Sequence, residues 1–349
     1  MRYFLALMAV VLSVRCVAAA DVASLVDDLA DDKKRAVAIA EILKMGPAAE
    51  SALEQIDLAG KVNERQLTIV RRLLGEIQIN RSELKPVDTS HLKPFGIKKD
   101  NPGDPTILLD PDEAARARHR TIVLSAEIAH EHGVLEYAVV CKDSPKGQDS
   151  PKLHEAIIAI DAVPQDVFVA LLVCGYADAG AISEEGVVPL AKDSGVMMSV
   201  EFEWETPNAQ TGEAADDNLP KPNDKPVPIK RLVRVPIEYF AFNRQTGKCM
   251  KRVPFAFTGS KTEKNPRNGR QYFLADLEKT IAALRVDEIA VLNSPLNTST
   301  VNPRHAKGYQ INERCIPPQH SPCKLVFEPY DGPELSAADL SDTGEVKSK

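Results

Sequence analysis

The spacing of apolar residues changes at Thr121, and that change divides the chain. Upstream of it, apolar residues recur at helical intervals. Val22, Leu25, Val26 and Leu29 fall at i, i+3, i+4 and i+7. Ala36, Ile39, Ala40 and Leu43 repeat the pattern, as do Ala49, Ala52, Leu53 and Ile56, and then Leu67, Val70, Leu74 and Ile77. Side chains three and four residues apart share one helix face, so residues 21–80 read as a small all-helical module. Gly46-Pro47 ends its second helix and opens the third, since Pro costs nothing where a first-turn N–H has no partner. From Thr121 the period becomes two. Ile122, Leu124, Ala126 and Ile128 alternate with Val123, Ser125 and Glu127; after His130-Glu131-His132-Gly133, Leu135, Tyr137, Val139 and Cys141 share one face. Two such runs around a short Gly-containing connection predict a β-hairpin.

Further strands are expected at Ala156–Ala162, along the run carrying Met198, Val200, Phe202 and Trp204, and at Arg231–Phe242, Val253–Phe257, Gln271–Ala275, Ile289–Leu292 and Lys324–Phe327. Pro236 marks its strand as an edge or a bulge. Pro164 opens a helix whose Val167, Ala170, Leu171 and Cys174 share a face, with Gly175 as its C-cap. Residues 81–117, broken by Pro86, Pro94, Pro102, Pro105 and Pro111, read as a Pro-rich linker. Residues 205–228 are a polar insertion loop, and 331–349 a flexible acidic tail. The fold class expected is α+β: the helical module, the linker, then a strand-rich α+β domain over 118–330 with one main internal helix.

Residues 1–20 have the pattern of a signal peptide. Arg2 precedes an apolar stretch from Tyr3 to Val14, and Ala18-Ala19-Ala20 offers a small-residue cleavage site. The stretch is too short to span a bilayer, which takes about 20 apolar residues, and no later stretch is long enough. The chain is therefore expected to be exported, periplasmic or extracellular, with no membrane span. A lipoprotein acylated at Cys16 is the minor alternative, weakened by the bulky Arg15 before it. A net charge of −7 argues against a nucleic-acid partner. Beyond the leader stand Cys141, Cys174, Cys249, Cys315 and Cys323, an odd number. Cys315 and Cys323 flank Ile316-Pro-Pro-Gln-His-Ser-Pro322 and are the expected disulfide in an oxidising compartment.

Two family resemblances follow from particular residues. Asp31, Arg35, the Ala40/Leu43 face and Met45-Gly46-Pro47-Ala48 resemble a HEAT-type repeat, covering one good helical pair and one degenerate pair. Such units stack to bury a continuous core and often serve as docking surfaces. Further on, Thr121-Ile-Val-Leu-Ser-Ala-Glu127, Gly133-Val-Leu-Glu-Tyr137, Cys141, Lys152-Leu-His154-Glu155, Ala159-Ile-Asp161 and Val167-Phe-Val-Ala-Leu-Leu172 form a first stretch. Phe257-Thr-Gly259-Ser260, Phe273-Leu-Ala275-Asp276, Leu292-Asn-Ser294, Ile316-Pro-Pro318 and Lys324-Leu-Val-Phe-Glu-Pro329 form a second. Together, over 118–330, they are similar to the YdjY domain, a bacterial family found largely in exported proteins. That resemblance implies an architecture and a compartment but no reaction.

The chemistry-bearing residues leave two classes of function open. Cys141 with His154 would make an activated nucleophile if the imidazole lowered the thiol pKa. Against this, Cys141 sits in an apolar alternation where an inert, buried thiol is ordinary. Lys152, His154 and Glu155 form a charged patch, and Asn293 and Ser294 open a polar loop continued by Asn297, Thr298 and Asn302. These are the candidate ligand-binding residues. His130, His132, His154 and Glu155 have the side chains of metal ligands, but His132 abuts the Gly133 turn, so no metal and no cofactor are expected. The leading reading is a non-catalytic binding or scaffolding protein of the cell envelope, partnered by a protein or envelope component. The alternative is a thiol-dependent enzyme or a redox or metal protein centred on Cys141 and His154.

Overall fold

A computed structural model describes residues 21–95, 107–109, 121–142, 150, 152–180, 182, 188, 190, 191, 193–206, 229–243, 246–264, 266–296, 308–336, 339 and 340. The expected leader, Cys16, most of the polar insertion and the end of the acidic tail lie outside them. So do Asn297, Thr298 and Asn302. The fold is α+β and divides into two units, Met1–Glu83 with Glu203–Val233 and Leu84–Phe202 with Arg234–Lys349.

In the first unit, residues 21–28 form helix α1, followed by α2 (Arg35–Met45), α3 (Pro47–Ala59) and α4 (Glu64–Ser82). The break between α2 and α3 depends on Gly46, which sits at φ +53° where a side chain would be strained, and on Pro47 behind it. Helix α4 begins with a reciprocal cap. The Asn63 side chain accepts from the Gln66 backbone N–H at 2.9 Å, and the Gln66 side chain accepts from the Asn63 N–H at 3.2 Å. Val22, Val26, Leu29, Ile42, Leu53, Val70, Leu73 and Leu74 form the core. Each fully buried Leu or Ile there contributes roughly 2 kcal/mol. On α2 the buried residues are Ala38, Ile39 and Ile42, so the helix is rolled toward Ala38 from the face centred on Ala36, Ala40 and Leu43.

The expectation of an all-helical module needs correction. Residues 203–206 and 229–233 belong to this unit, and they cover the side of α4 that periodicity assigned to solvent. Helix α4 is consequently buried without interruption from Leu73 to Ile79, Glu76 and Gln78 included. The Trp204 indole N–H donates to Glu76 Oε2 at 2.6 Å, while Arg231 Nη2 reaches Glu76 Oε1 at 3.1 Å and Asn80 Oδ1 at 2.6 Å. Arg231 Nη1 also donates to Glu83 Oε2 at 2.5 Å. A buried carboxylate is tolerated here because a guanidinium and two neutral donors answer it.

The remaining strands, in chain order, are β1 (Lys93–Phe95), β2 (Ile107–Leu109), β3 (Ile122–Ile128), β4 (Tyr137–Cys141), β5 (Ala156–Ile160), β6 (Gly195–Thr206), β7 (Ile229–Pro236), β8 (Ala241–Asn243), β9 (Lys248–Cys249), β10 (Phe255–Phe257), β11 (Thr262–Lys264), β12 (Gln271–Phe273), β13 (Thr280–Ala283), β14 (Leu292–Asn293), β15 (Gln310–Ile311) and β16 (Pro322–Pro329). Eight of them close into a barrel in the order β3-β16-β6-β10-β14-β13-β4-β5, with β5 returning to β3. Closure leaves no free edge around the ring. The strands β4, β5 and β13 are buried at every position.

Three details differ from the sequence reading. β3 and β4 are not a hairpin, because β5 lies between them, antiparallel to β3 (Ile128 opposite Ile158) and parallel to β4 (Val139 opposite Ile158). The linker carries β1 and β2, which pair with each other, and β2 pairs in turn with β3 at Ile122–Leu124. Pro94 sits on the outermost strand, where its missing N–H costs no ladder bond. The single strand expected over Arg231–Phe242 ends at Pro236; a 3₁₀ turn, Ile237–Phe240, separates it from β8. Alongside the barrel strands stand two α-helices among the described residues, α5 (Pro164–Val173) and α6 (Leu274–Glu278). Helix α5 buries Val167, Ala170 and Leu171, and Cys174 follows at its C-cap. Gly175, at φ +80°, lets Tyr176 N–H turn back to the Leu171 carbonyl. No helix among the described residues is long and apolar enough to cross a membrane.

Candidate functional site

The barrel's own pairing separates the two residues chosen for thiol chemistry. Tyr137 lies opposite Ala156 and Cys141 opposite Ile160 on the parallel strands β4 and β5. Four residues of strand rise, about 13 Å, therefore separate Cys141 from the level of Ala156. His154 lies beyond that level, in the 3₁₀ turn Leu153–Glu155. Cys141 is buried in the barrel wall, while His154 is exposed and paired with Glu155 at 3.3 Å. The imidazole cannot act on the thiol from there.

The other candidates converge. Lys152 places its ammonium over the Tyr137 ring, 5.0 Å from the centroid, and meets Glu278 at 3.2 Å. The Tyr137 hydroxyl donates to Asp287 Oδ2 at 3.1 Å. Asp287 N–H in turn donates to Asn293 Oδ1 at 2.8 Å, and Asn293 Nδ2 to Thr258 Oγ1 at 2.9 Å. Lys152 and Asn293, distant in sequence, are thus joined through Tyr137 and Asp287. Glu155 is brought to the same rim by its backbone carbonyl, which accepts from Glu136 N–H at 3.0 Å. The Glu136 side chain pairs with Arg285 at 2.5 Å. Ser294 is buried, bonded through its N–H to the Ala283 carbonyl and through its hydroxyl to Leu296 N–H, and so helps fix the strand end.

Local structure explains why these groups meet. Strands β13 and β14 are parallel neighbours joined by a short connection, where parallel pairs ordinarily need a long crossover. The connection is held by Asp287, whose carboxylate also accepts from Ile289 N–H at 2.9 Å. Helix α6 ends at Lys279 in the left-handed region, leaving Glu278 beside Lys152. Arg285, Asp287, Glu136 and Tyr137 were not singled out from sequence. In the sequence Tyr137 reads as one member of an apolar stripe, and the strand expected at Ile289–Leu292 is only Leu292–Asn293.

The rim alternates charge. Burial and the Asp287 carboxylate push the Tyr137 hydroxyl above its usual range, so it remains a protonated donor at neutral pH. Burial alone would lower Lys152, but Tyr137 and Glu278 outweigh it and raise its pKa. Burial raises Glu136, with Arg285 opposing and Glu155 reinforcing. Two fixed cations and several carboxylates therefore sit around one phenol. Such a set offers paired charges and hydrogen-bond donors rather than an activated nucleophile.

Elsewhere, the ring centroids of His130 and His132 lie 4.8 Å apart, and burial with the His132 charge lowers the His130 pKa. Among the described residues no group of three or more His, Cys, Asp and Glu is arranged to hold a metal ion. A cavity of about 340 Å³ lined by Glu263, Lys264, Pro266, Arg267, Tyr272, Leu274 and Leu277 lies against the β11–β12 hairpin, whose second strand falls within the expected Gln271–Ala275. The expected Cys315–Cys323 disulfide is not formed, and the five cysteines among the described residues are thiols. Cys323 lies on β16 facing Ala126 and Phe202 in the ladder, whereas Cys315 is directed at the Tyr239 carbonyl. Comparison with known protein families, curated proteins and solved structures finds no significant match to this chain.

Proposed function

We propose that the protein is an exported, non-catalytic binding protein of the cell envelope, with a YdjY-like main domain and a HEAT-like helical module. The observation that carries the reading is the Tyr137 rim, where Lys152 and Arg285 alternate with Glu136, Glu155, Glu278 and Asp287. Alternating charge favours a partner bearing both signs over a simple anion or cation, because every ligand charge then meets its opposite while like charges stay apart. A peptide-like envelope component with free amino and carboxylate groups fits that description.

The test is an NMR titration of the mature protein with trialanine, alongside its N-acetylated and C-amidated forms. Saturable shifts centred on the rim are expected for the doubly charged peptide. Weaker shifts are expected for both capped forms, with roughly tenfold weaker binding in Arg285→Ala. Equal response to all three peptides, or shifts away from the rim, would remove the reading. Native-state alkylation with iodoacetamide addresses the competing class. Cys141 should label only after denaturation; rapid, pH-dependent labelling of the folded protein would put the thiol-enzyme alternative ahead of the binding reading.

A further inference from the structure

The three-stranded sheet β15-β8-β9 brings together two cysteines that are far apart in the chain. Cys249 closes β9 opposite Phe242 on β8, and Cys315 follows β15, which pairs with the other edge of β8. Both thiols address one backbone oxygen. Cys315 Sγ donates to the Tyr239 carbonyl at 3.4 Å, and Cys249 Sγ approaches the same oxygen at 3.7 Å. The two sulfurs are therefore no farther apart than those two distances laid end to end. Asn312 joins the cluster, its amide donating to Tyr239 O at 2.9 Å and to Cys249 Sγ at 3.5 Å. Cys323, by contrast, is held in the β16 ladder.

We propose that Cys249 and Cys315 are a disulfide-forming pair, closed by thiol–disulfide exchange with an external disulfide donor. The two cysteines differ in a way that assigns an order. Cys249 is partly exposed, so it is the thiol an external donor can reach, and the Asn312 amide holds its sulfur in place. Cys315 is fully buried, and burial together with the neighbouring Cys249 holds its pKa well above the usual thiol value. The Cys249 thiolate attacks one sulfur of the donor, forming a mixed disulfide and expelling the donor's first thiolate. Cys315 then loses its proton and attacks Cys249 Sγ, which closes the internal bond and releases the second donor thiol. Two protein thiols are oxidised, and one donor disulfide is reduced to two thiols. Because Cys315 ionises reluctantly, the second step should be the slower one and should quicken with rising pH.

Peptide mapping of the full mature chain, reduced and then incubated with glutathione disulfide, tests the pairing. Trypsin releases Cys249-Met-Lys251 separately from the peptide Cys315–Lys324, which also contains Cys323. The expected product is a cross-link between those two peptides, with fragmentation placing the bond on Cys315. The melting midpoint should rise by roughly 5–10 °C on oxidation, as closing a long loop restricts the unfolded chain, and Cys249→Ser should not show the rise. An internal bond within Cys315–Lys324, a glutathione adduct persisting on Cys249, or unchanged thiols at both positions would each overturn the proposal. The mapping uses the unmodified protein, so it decides the matter even if the variant folds poorly.

Discussion

Arg231→Ala should destabilise the helical unit by about 3 kcal/mol, with its melting midpoint falling by roughly 10–20 °C. The size follows from what remains. Glu76 is 5% exposed, and without the guanidinium the donors left to its carboxylate among the described residues are the neutral Trp204 indole and Asn80 amide. An uncompensated buried anion costs far more than the pair contributes. Replacing both partners, as in Glu76→Leu with Arg231→Leu, should therefore recover much of the loss. Trp204 is the only tryptophan in the chain, so its fluorescence follows this cluster without labelling. A single variant melting within about 2 °C of the parent would show that the pair is not structural.

The same cluster shows why part of the fold was readable and part was not. Helix boundaries depend on neighbours in sequence. Gly46-Pro47 marked a helix junction correctly, and the Val167, Ala170, Leu171 and Cys174 face lies buried where the period put it. Glu76 was invisible because its partners arrive from residues 204 and 231, and a polar residue on the outer face of an amphipathic helix is assigned to solvent by default. The β3–β4 hairpin failed for a related reason. Alternation identifies strands, but pairing is decided by the whole barrel, and β5 competes for both edges. At the candidate site, residue chemistry marks Lys152 and Asn293 as two separate candidates, and the structure joins them through groups that the sequence does not single out. The groups that link them, Tyr137 and Asp287, carried no signal beyond one aromatic in an apolar stripe and one acid in a presumed strand approach. Proximity in sequence likewise suggested Cys315 with Cys323, while the three-stranded sheet brings Cys315 toward Cys249.

A Glu238→Gln variant should be more stable than the parent above neutral pH, by about 3 kcal/mol, and indistinguishable from it below pH 4. Glu238 lies in the 3₁₀ turn before β8 and is fully buried, and among the described residues no donor meets either carboxylate oxygen in good hydrogen-bond geometry. Burial raises its pKa to about 7; the Arg252 charge and the nearby backbone amides of Glu238 and Val253 offset only part of that. The ordinary value in the unfolded chain is 4.5, so between there and about 7 the folded state holds a proton that the unfolded state has released. Stability linked to this group is thus fully present below pH 4.5 and is lost as pH rises toward 7. Glutamine keeps the neutral shape and removes the titration, so the difference between the two proteins should grow across that window and then level off. His130 acts in the opposite sense, since burial depresses its pKa and favours the folded state as pH rises. It is common to both proteins and cancels in the difference. Urea unfolding of parent and variant at intervals from pH 4 to pH 8 measures this directly. A constant difference across the range would mean that Glu238 is not a buried acid that ionises reluctantly in the folded protein.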